Sequence, residues 1–353
     1  MTKLLTRGFD LPLKHVFRIS RSAVSVQPTM IVQAEHEGRY GYGEATENDY
    51  YEATIENITA MVAKAQPLLD DWTPEDPAEL LRRVGAEIGF DGSADGGVRG
   101  SSFALCALDC ALHDLWGKIA GKPVGELWGL DQSQGPNSNF TIGIDTIPVM
   151  VEKLAEEPGW PVYKIKLGTP EDIEIIRELR RHTDARFRVD ANCGWTPEKT
   201  VELSGELKEL GVEFIEQPLP ADNREGMKKV YAESALPVIA DESCVCEADV
   251  ARCAGLFHGV NVKLVKCGGL APARRMLAEA RGLGMKTMVG CMTESSVGIS
   301  AIAQLLPLLD YVDMDGAVLI AKDIATGARL EKGRCELPSL PGLGTELLDG
   351  PLQ

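Results

Sequence analysis

The opening third of the chain alternates apolar and polar positions and then changes to a helical spacing. Met30-Ile31-Val32-Gln33-Ala34-Glu35 reads as one of several strand-like segments, broken by Gly38 and by Gly41 and Gly43. From Glu52 to Leu69 the apolar residues fall at 55, 58, 61, 62, 65, 68 and 69, which marks one buried face of a helix. A Gly- and Asp-rich loop at 89–100 follows, then an apolar helix that ends at Gly121. Residues 1–130 are expected to form an α+β domain.

From about residue 137 short apolar runs alternate with amphipathic helices. The runs predict strands at Phe140–Ile144, Val162–Leu167, Phe187–Ala191, Glu213–Glu216, Val238–Asp241, Val260–Val265, Thr287–Cys291 and Tyr311–Asp315. Helices predicted between them include Pro170–Arg181, Pro197–Leu210 and Pro272–Leu283, several opening on Pro and two followed by Gly211 or Gly284. Polar residues near the strand ends recur at 166, 190, 216, 241 and 263, steps of 24, 26, 25 and 22 residues. Units of this length favour parallel pairing, and eight of them fit a (β/α)8-type barrel over residues 131–322; an open doubly wound sheet is the alternative. After about 322 the composition returns to loop-like, so residues 323–353 are expected to fold back and complete the first domain.

Composition narrows the function. With 36 Lys and Arg against 53 Asp and Glu, the formal charge of the 353-residue chain is −17. Such a surface repels phosphate backbones and anionic membranes, so neither nucleic acid nor membrane is an expected partner. No apolar run suits a signal peptide or a spanning helix. The nine cysteines are scattered without a CxxC pair, as in a cytoplasmic protein with reduced thiols, and Cys244 and Cys246 are read as structural. The loop at 92–100 lacks the Lys-Ser/Thr ending of a phosphate loop. His15 is expected at the surface.

The strand ends carry the chemistry. A barrel gathers its active site there. Asp190, Glu216 and Asp241 end three consecutive strands and would converge on one point. Three such carboxylates raise one another's pKa unless a cation compensates them, and an all-oxygen set with open positions suits Mg²⁺, one per subunit. Lys164 and Lys166 share one face of the second strand, while Lys263 and Lys266 stand on the sixth, across the acids. Near a dication and another lysine the neutral amine is favoured, so Lys166 and Lys263 are candidate proton abstractors on opposite faces of one carbon. Asp313 and Asp315 lie too far round the ring for that metal. They need a positive partner of their own: either a substrate ammonium group or Lys263 and Lys266.

As an ordered set, KxK at 164–166, DxN at 190–192, EQP at 216–218, ADES at 240–243, NxKxxKxGG at 261–269 and DxDG at 313–316 resembles the enolase superfamily and, within it, the muconate lactonizing enzyme subgroup. The DxD pair is similar to that of the dipeptide epimerases. The likeness runs from GYGEA at 41–45 and ALDCALHDLWGKIAGKPV at 107–124 to the last strand. It implies Mg²⁺ on Asp190, Glu216 and Asp241, with Lys166 and Lys263 as the two acid/base lysines of a 1,1-proton transfer through an enediolate. Lys266, the second lysine of its motif, is not a catalytic one. Lys164 would sit near the substrate carboxylate and depress the pKa of Lys166. Asp313 and Asp315 would hold the ammonium group of a small-molecule dipeptide inverted at the α-carbon of its C-terminal residue. Thr141 and Cys291 fall at further substrate contacts. In the capping loop Phe17-Arg18-Ile19-Ser20-Arg21-Ser22, Arg21 either grips an acidic second side chain or is a rim charge. The same subgroup also contains N-succinylamino acid racemase, o-succinylbenzoate synthase and muconate cycloisomerase, which need no ammonium clamp. A homo-oligomer is compatible with the sequence and not fixed by it.

Overall fold

The computed structural model describes residues 1–19, 22–92 and 100–353. Strands β1 (Lys3–Ile19), β2 (Ser22–His36) and β3 (Arg39–Thr46) form an antiparallel sheet in that order. Helices α1 (Ile55–Leu69), α2 (Ala78–Ile88) and α3 (Ser101–Ala120) pack together and α3 lies along β3. Thr54 starts α1 by accepting from the Asn57 amide, and Gly121, in the left-handed region, ends α3. The close approach of α3 to β3 depends on the GYG segment. A Cβ at Gly41 or Gly43 would collide with the backbone carbonyls of Ala111 and Ala107.

A short helix, α4 (Val124–Leu127), leads to eight parallel strands: β4 (Phe140–Ile142), β5 (Val162–Lys166), β6 (Arg186–Asp190), β7 (Val212–Glu216), β8 (Val238–Ala240), β9 (Gly259–Lys263), β10 (Lys286–Gly290) and β11 (Tyr311–Asp313). Each pairs with the next. Apolar burial on both faces is what the short apolar runs require. The outer layer is α5 (Ile147–Glu156), α6 (Asp172–Arg180), α7 (Pro197–Glu209), α8 (Arg224–Glu233), α9 (Glu247–Cys253), α11 (Leu270–Gly282) and α12 (Ser296–Ala303). Among the described residues no ladder joins β11 back to β4, so this (β/α)8-type barrel has a seam.

Several strands stop earlier than their apolar pattern predicts, and at β9 and β11 this moves site residues off the strand. After Lys263 the chain turns into α10 (Leu264–Cys267), closed by Gly268 in the left-handed region, so Lys266 stands on a helix and not on a strand. A buried apolar run reads alike in either state. The last strand stops at Asp313, and Asp315 precedes α13 (Gly316–Leu319).

Buried carboxylates of the first domain fasten it to the barrel. Glu44 on β3 accepts from the Ser295 amide and hydroxyl and from the Gly298 amide at the start of α12. Asp109 on α3 accepts from the Leu270 and Ala271 amides at the start of α11. In both cases a carboxylate satisfies amides that a helix leaves unpaired. The C-terminal segment carries β12 (Ala325–Thr326), β13 (Arg329–Glu331), β14 (Arg334–Glu336) and β15 (Glu346–Leu347), paired β12 with β15 and β13 with β14. Its Leu343 amide donates to Asp114 on α3 at 2.6 Å, and its Leu352 amide to Gln33 on β2 at 2.6 Å. Among the described residues no helix is long and apolar enough to cross a membrane.

Candidate active site

The C-terminal rim of the barrel and the first domain enclose a chamber of about 460 Å³. Asp241 lines it, and Asp190 and Glu216 lie buried next to Asp241, with one oxygen of each of the three within 4.8 Å of the others. Parallel register sets this up: Lys166 lies level with Asp190, and Asp190 with Glu216. Glu216 Oε1 accepts from Asn261 Nδ2 at 2.8 Å, and its Oε2 lies 2.8 Å from Lys164 Nζ. A compact set of three buried carboxylates, all oxygen donors, fits a hard divalent cation.

Lysines surround the acids. Lys166 Nζ donates to Asp190 Oδ2 at 2.6 Å, and Lys263 Nζ lies 3.2 Å from Asp241 Oδ2. These two amines approach the triad from strands on either side of it. Lys266 donates from α10 to Asp241 Oδ1 at 2.5 Å and to the Asp241 carbonyl, which makes it a fixed counter-ion of that carboxylate. Lys164 is wholly buried among Asp190 at 3.2 Å, Glu216 at 2.8 Å and Asp313 at 2.8 Å.

Charge and burial oppose each other here. Burial and then the Asp190 charge push Glu216 up to about 7. Burial works the same way on Asp241, but Lys263 and Lys266 outweigh it and hold that carboxyl far below its usual range. The lysines respond in kind. Burial favours their neutral form, yet Asp241 holds Lys263 charged and Asp313, Glu216 and Asp190 hold Lys164 charged. At Lys263 the expected lowering therefore does not arise from the protein charges alone, because Asp241 dominates.

Asp313 and Asp315 meet neither Lys263 nor Lys266. Asp313 Oδ2 accepts from Lys164, and its Oδ1 accepts from Asn139 Nδ2 at 2.7 Å. Asp315 Oδ2 accepts from the Thr141 amide at 2.6 Å. Burial and the Asp313 charge push Asp315 up to about 8. Cys291, half-buried at the end of β10, brings its sulfur to these two carboxylates. Thr141 thus reaches the acids through its backbone as well as lining the chamber.

Phe17, Ile19, Val24, Tyr50 and Tyr51 of the first domain close the chamber from above. Arg21 lies outside the described residues, as does most of the 92–100 loop. His15 sits on the rim, exposed, with Glu156 at 2.7 Å. Sequence reasoning missed Asn139 and Arg188. Period two places Asn139 on the same strand face as Thr141, a signal that was available. Arg188 fell inside an apolar run and offered none.

Residues 149–350 match the model of the enolase C-terminal domain-like family, and residues 4–129 match the mandelate racemase / muconate lactonizing enzyme N-terminal domain. The chain belongs to this family. It is 53% identical to the L-Ala-D/L-amino acid epimerase of Flavobacterium johnsoniae over 98% of this chain and 100% of that one. A Maribacter protein of the same description is 52% identical over 97% and 98% of the two chains. Among solved structures it is similar to the dipeptide epimerase of Methylococcus capsulatus complexed with Mg and the dipeptide L-Arg-D-Lys. That structure has 31% identity and a TM-score of 0.85, covering 97% of this chain and 98% of that one.

Proposed function

We propose that the chain is a Mg²⁺-dependent dipeptide epimerase, an isomerase that inverts the α-carbon of the C-terminal residue. The observation that carries this reading is a buried acidic triad between two lysines at the chamber and a second carboxylate pair, Asp313 and Asp315, that lines the same chamber. In this reading residues 1–130 with 323–353 cap the barrel of residues 131–322.

Asp190, Glu216 and Asp241 are the residues that would hold Mg²⁺. When bound, the ion supplies positive charge to the substrate carboxylate and so acidifies the adjacent C–H bond. Lys166 removes the α-proton from one face and Lys263 returns one to the other, or the reverse for the opposite epimer. Lys164 supplies a further positive charge where the substrate carboxylate lies. Asp313 and Asp315 receive the dipeptide ammonium group through charge-assisted hydrogen bonds, with Thr141 and Cys291 beside them. That clamp disfavours the N-succinylamino acid racemase, o-succinylbenzoate synthase and muconate cycloisomerase readings, whose substrates bring no ammonium group.

Incubating the Mg²⁺-loaded enzyme with a panel of L,L-dipeptides in D₂O tests this. Deuterium at the C-terminal Cα together with the L,D-epimer is the expected result. No exchange with any member of a broad panel would overturn it.

A further inference from the structure

The seam between β4 and β11 has no backbone ladder, and side chains span it instead. Asn139 Nδ2 donates to Asp313 Oδ1 at 2.7 Å, the Thr141 amide donates to Asp315 Oδ2 at 2.6 Å, and the Met314 amide donates to Ser138 Oγ at 3.0 Å. Each carboxylate of the pair therefore has one oxygen pinned at β4 or just before it, while the other oxygen of Asp313, Oδ2, accepts from Lys164 at 2.8 Å at the chamber wall. Asn139 is itself completely buried, and its amide orientation is dictated from below. Arg188 Nη1 donates to Asn139 Oδ1 at 3.2 Å and to the Val312 carbonyl at 2.7 Å, while its Nε donates to Glu213 at 3.0 Å. With the guanidinium on its carbonyl side, the amide can only turn its N–H toward Asp313.

We propose that Asn139 is a positioning residue for the amino terminus of the substrate: it fixes Asp313 through Oδ1 so that Oδ2 stays at the chamber wall beside Lys164, and it adds no positive charge to the one Lys164 already brings. The residue type follows from the task. A Lys or Arg at this position would hold the carboxylate equally well but add a second positive charge to that of Lys164. An apolar side chain would leave Oδ1 unsatisfied in a buried seam and let the carboxylate rotate out of this setting. An amide donates a hydrogen bond and adds no charge.

The proposal rests on the dipeptide reading above. The test compares L-Ala-L-Leu with N-propionyl-L-leucine, which lacks only the amino group, by Cα exchange in D₂O. Wild type is expected to favour the dipeptide. In Asn139→Leu the KM for L-Ala-L-Leu should rise on the order of tenfold, the loss of one hydrogen bond to a charged group, with kcat changed little. N-propionyl-L-leucine should be handled as in wild type, and Mg²⁺ affinity by calorimetry should be unchanged. A variant that keeps the wild-type preference, or that loses both substrates equally, overturns the positioning role. If Asn139→Leu does not fold, Asn139→Ser carries the same comparison, since its shorter hydroxyl cannot span to Asp313. A wild type that treats both compounds alike overturns the ammonium clamp itself, and this proposal with it, before any variant is made.

Discussion

Two arcs of the barrel rim hold their carboxylates in opposite ways. From β5 to β9 the ladder is continuous, and Asp190, Glu216 and Asp241 are placed by strand register alone, with lysines as their counter-ions. At the β4–β11 seam the ladder is missing, and Asp313 and Asp315 are placed by the hydrogen bonds they accept from Asn139 and from the Thr141 amide. The first arc crowds negative charge until cations become necessary. The second separates two jobs: one oxygen of each acid closes the barrel and the other faces the chamber. Chemistry at the first arc and recognition at the second should therefore respond differently to the same kinds of change.

The largest separation is expected from the lysines. Lys166→Ala and Lys263→Ala should each lower epimerisation by roughly 10³-fold, the usual loss for a general acid or base. They should leave KM for the dipeptide within a few-fold, because the seam is untouched. Each variant should still exchange the α-proton of one epimer without inverting it, since one lysine can remove and return a proton on its own face. Proton NMR in D₂O with the L,L- and L,D-epimers reads both outcomes. Exchange of both epimers by both variants would mean that the two amines do not divide the faces between them.

Glu216→Gln addresses the first arc without touching proton transfer. It keeps the volume and removes one charge from the triad, so Mg²⁺ should no longer raise the unfolding temperature. In wild type a Mg²⁺ concentration a hundredfold above Kd should stabilise the fold by about 2.7 kcal/mol. Calorimetric unfolding with Mg²⁺ and with EDTA measures the difference. Retained stabilisation in the variant would place the ion elsewhere.

The two arcs also differ in how much of them the sequence carries. A period near 25 residues, polar residues at strand ends and the alternation of strand faces are local signals, and they led to Lys164, Lys166, Asp190, Glu216 and Asp241. The barrel itself follows from the same signals. The seam is a different case, because which strands fail to pair depends on how the ring closes, a property of the whole chain. Asn139 and Arg188 acquire their roles only once β4 and β11 face each other. Lys266 shows the smaller failure: NVKLVK reads as one strand, but the chain turns helical after Lys263, and the second lysine swings behind Asp241. The pairing of Lys164 with Asp313 was likewise invisible, since 149 residues separate them.

The finest test of the seam is pH. Burial and Asp313 push the Asp315 carboxyl up to about 8, so the substrate-free enzyme holds a proton there at neutral pH. An ammonium group binds the ionised carboxylate better, so KM should fall as pH rises toward 8. The dipeptide α-amino group loses its own proton near pH ~8, so KM should rise again above it. Between pH 6 and 8 the change should be on the order of tenfold, and Asp315→Asn should flatten the lower limb. Stability should fall over the interval in which affinity for the dipeptide rises. A carboxyl whose folded pKa exceeds its unfolded value retains a proton that the unfolded chain has lost. Its contribution is therefore full below about pH 4 and declines as pH climbs to 8. Asp315→Asn, which keeps an acceptor for the Thr141 amide, should gain stability over wild type across that interval. Thermal unfolding and initial rates on one pH series read both slopes. If affinity and stability change in the same direction, the chamber-facing oxygen of Asp315 does not receive the ammonium group, and recognition at the seam must rest on Asp313 alone.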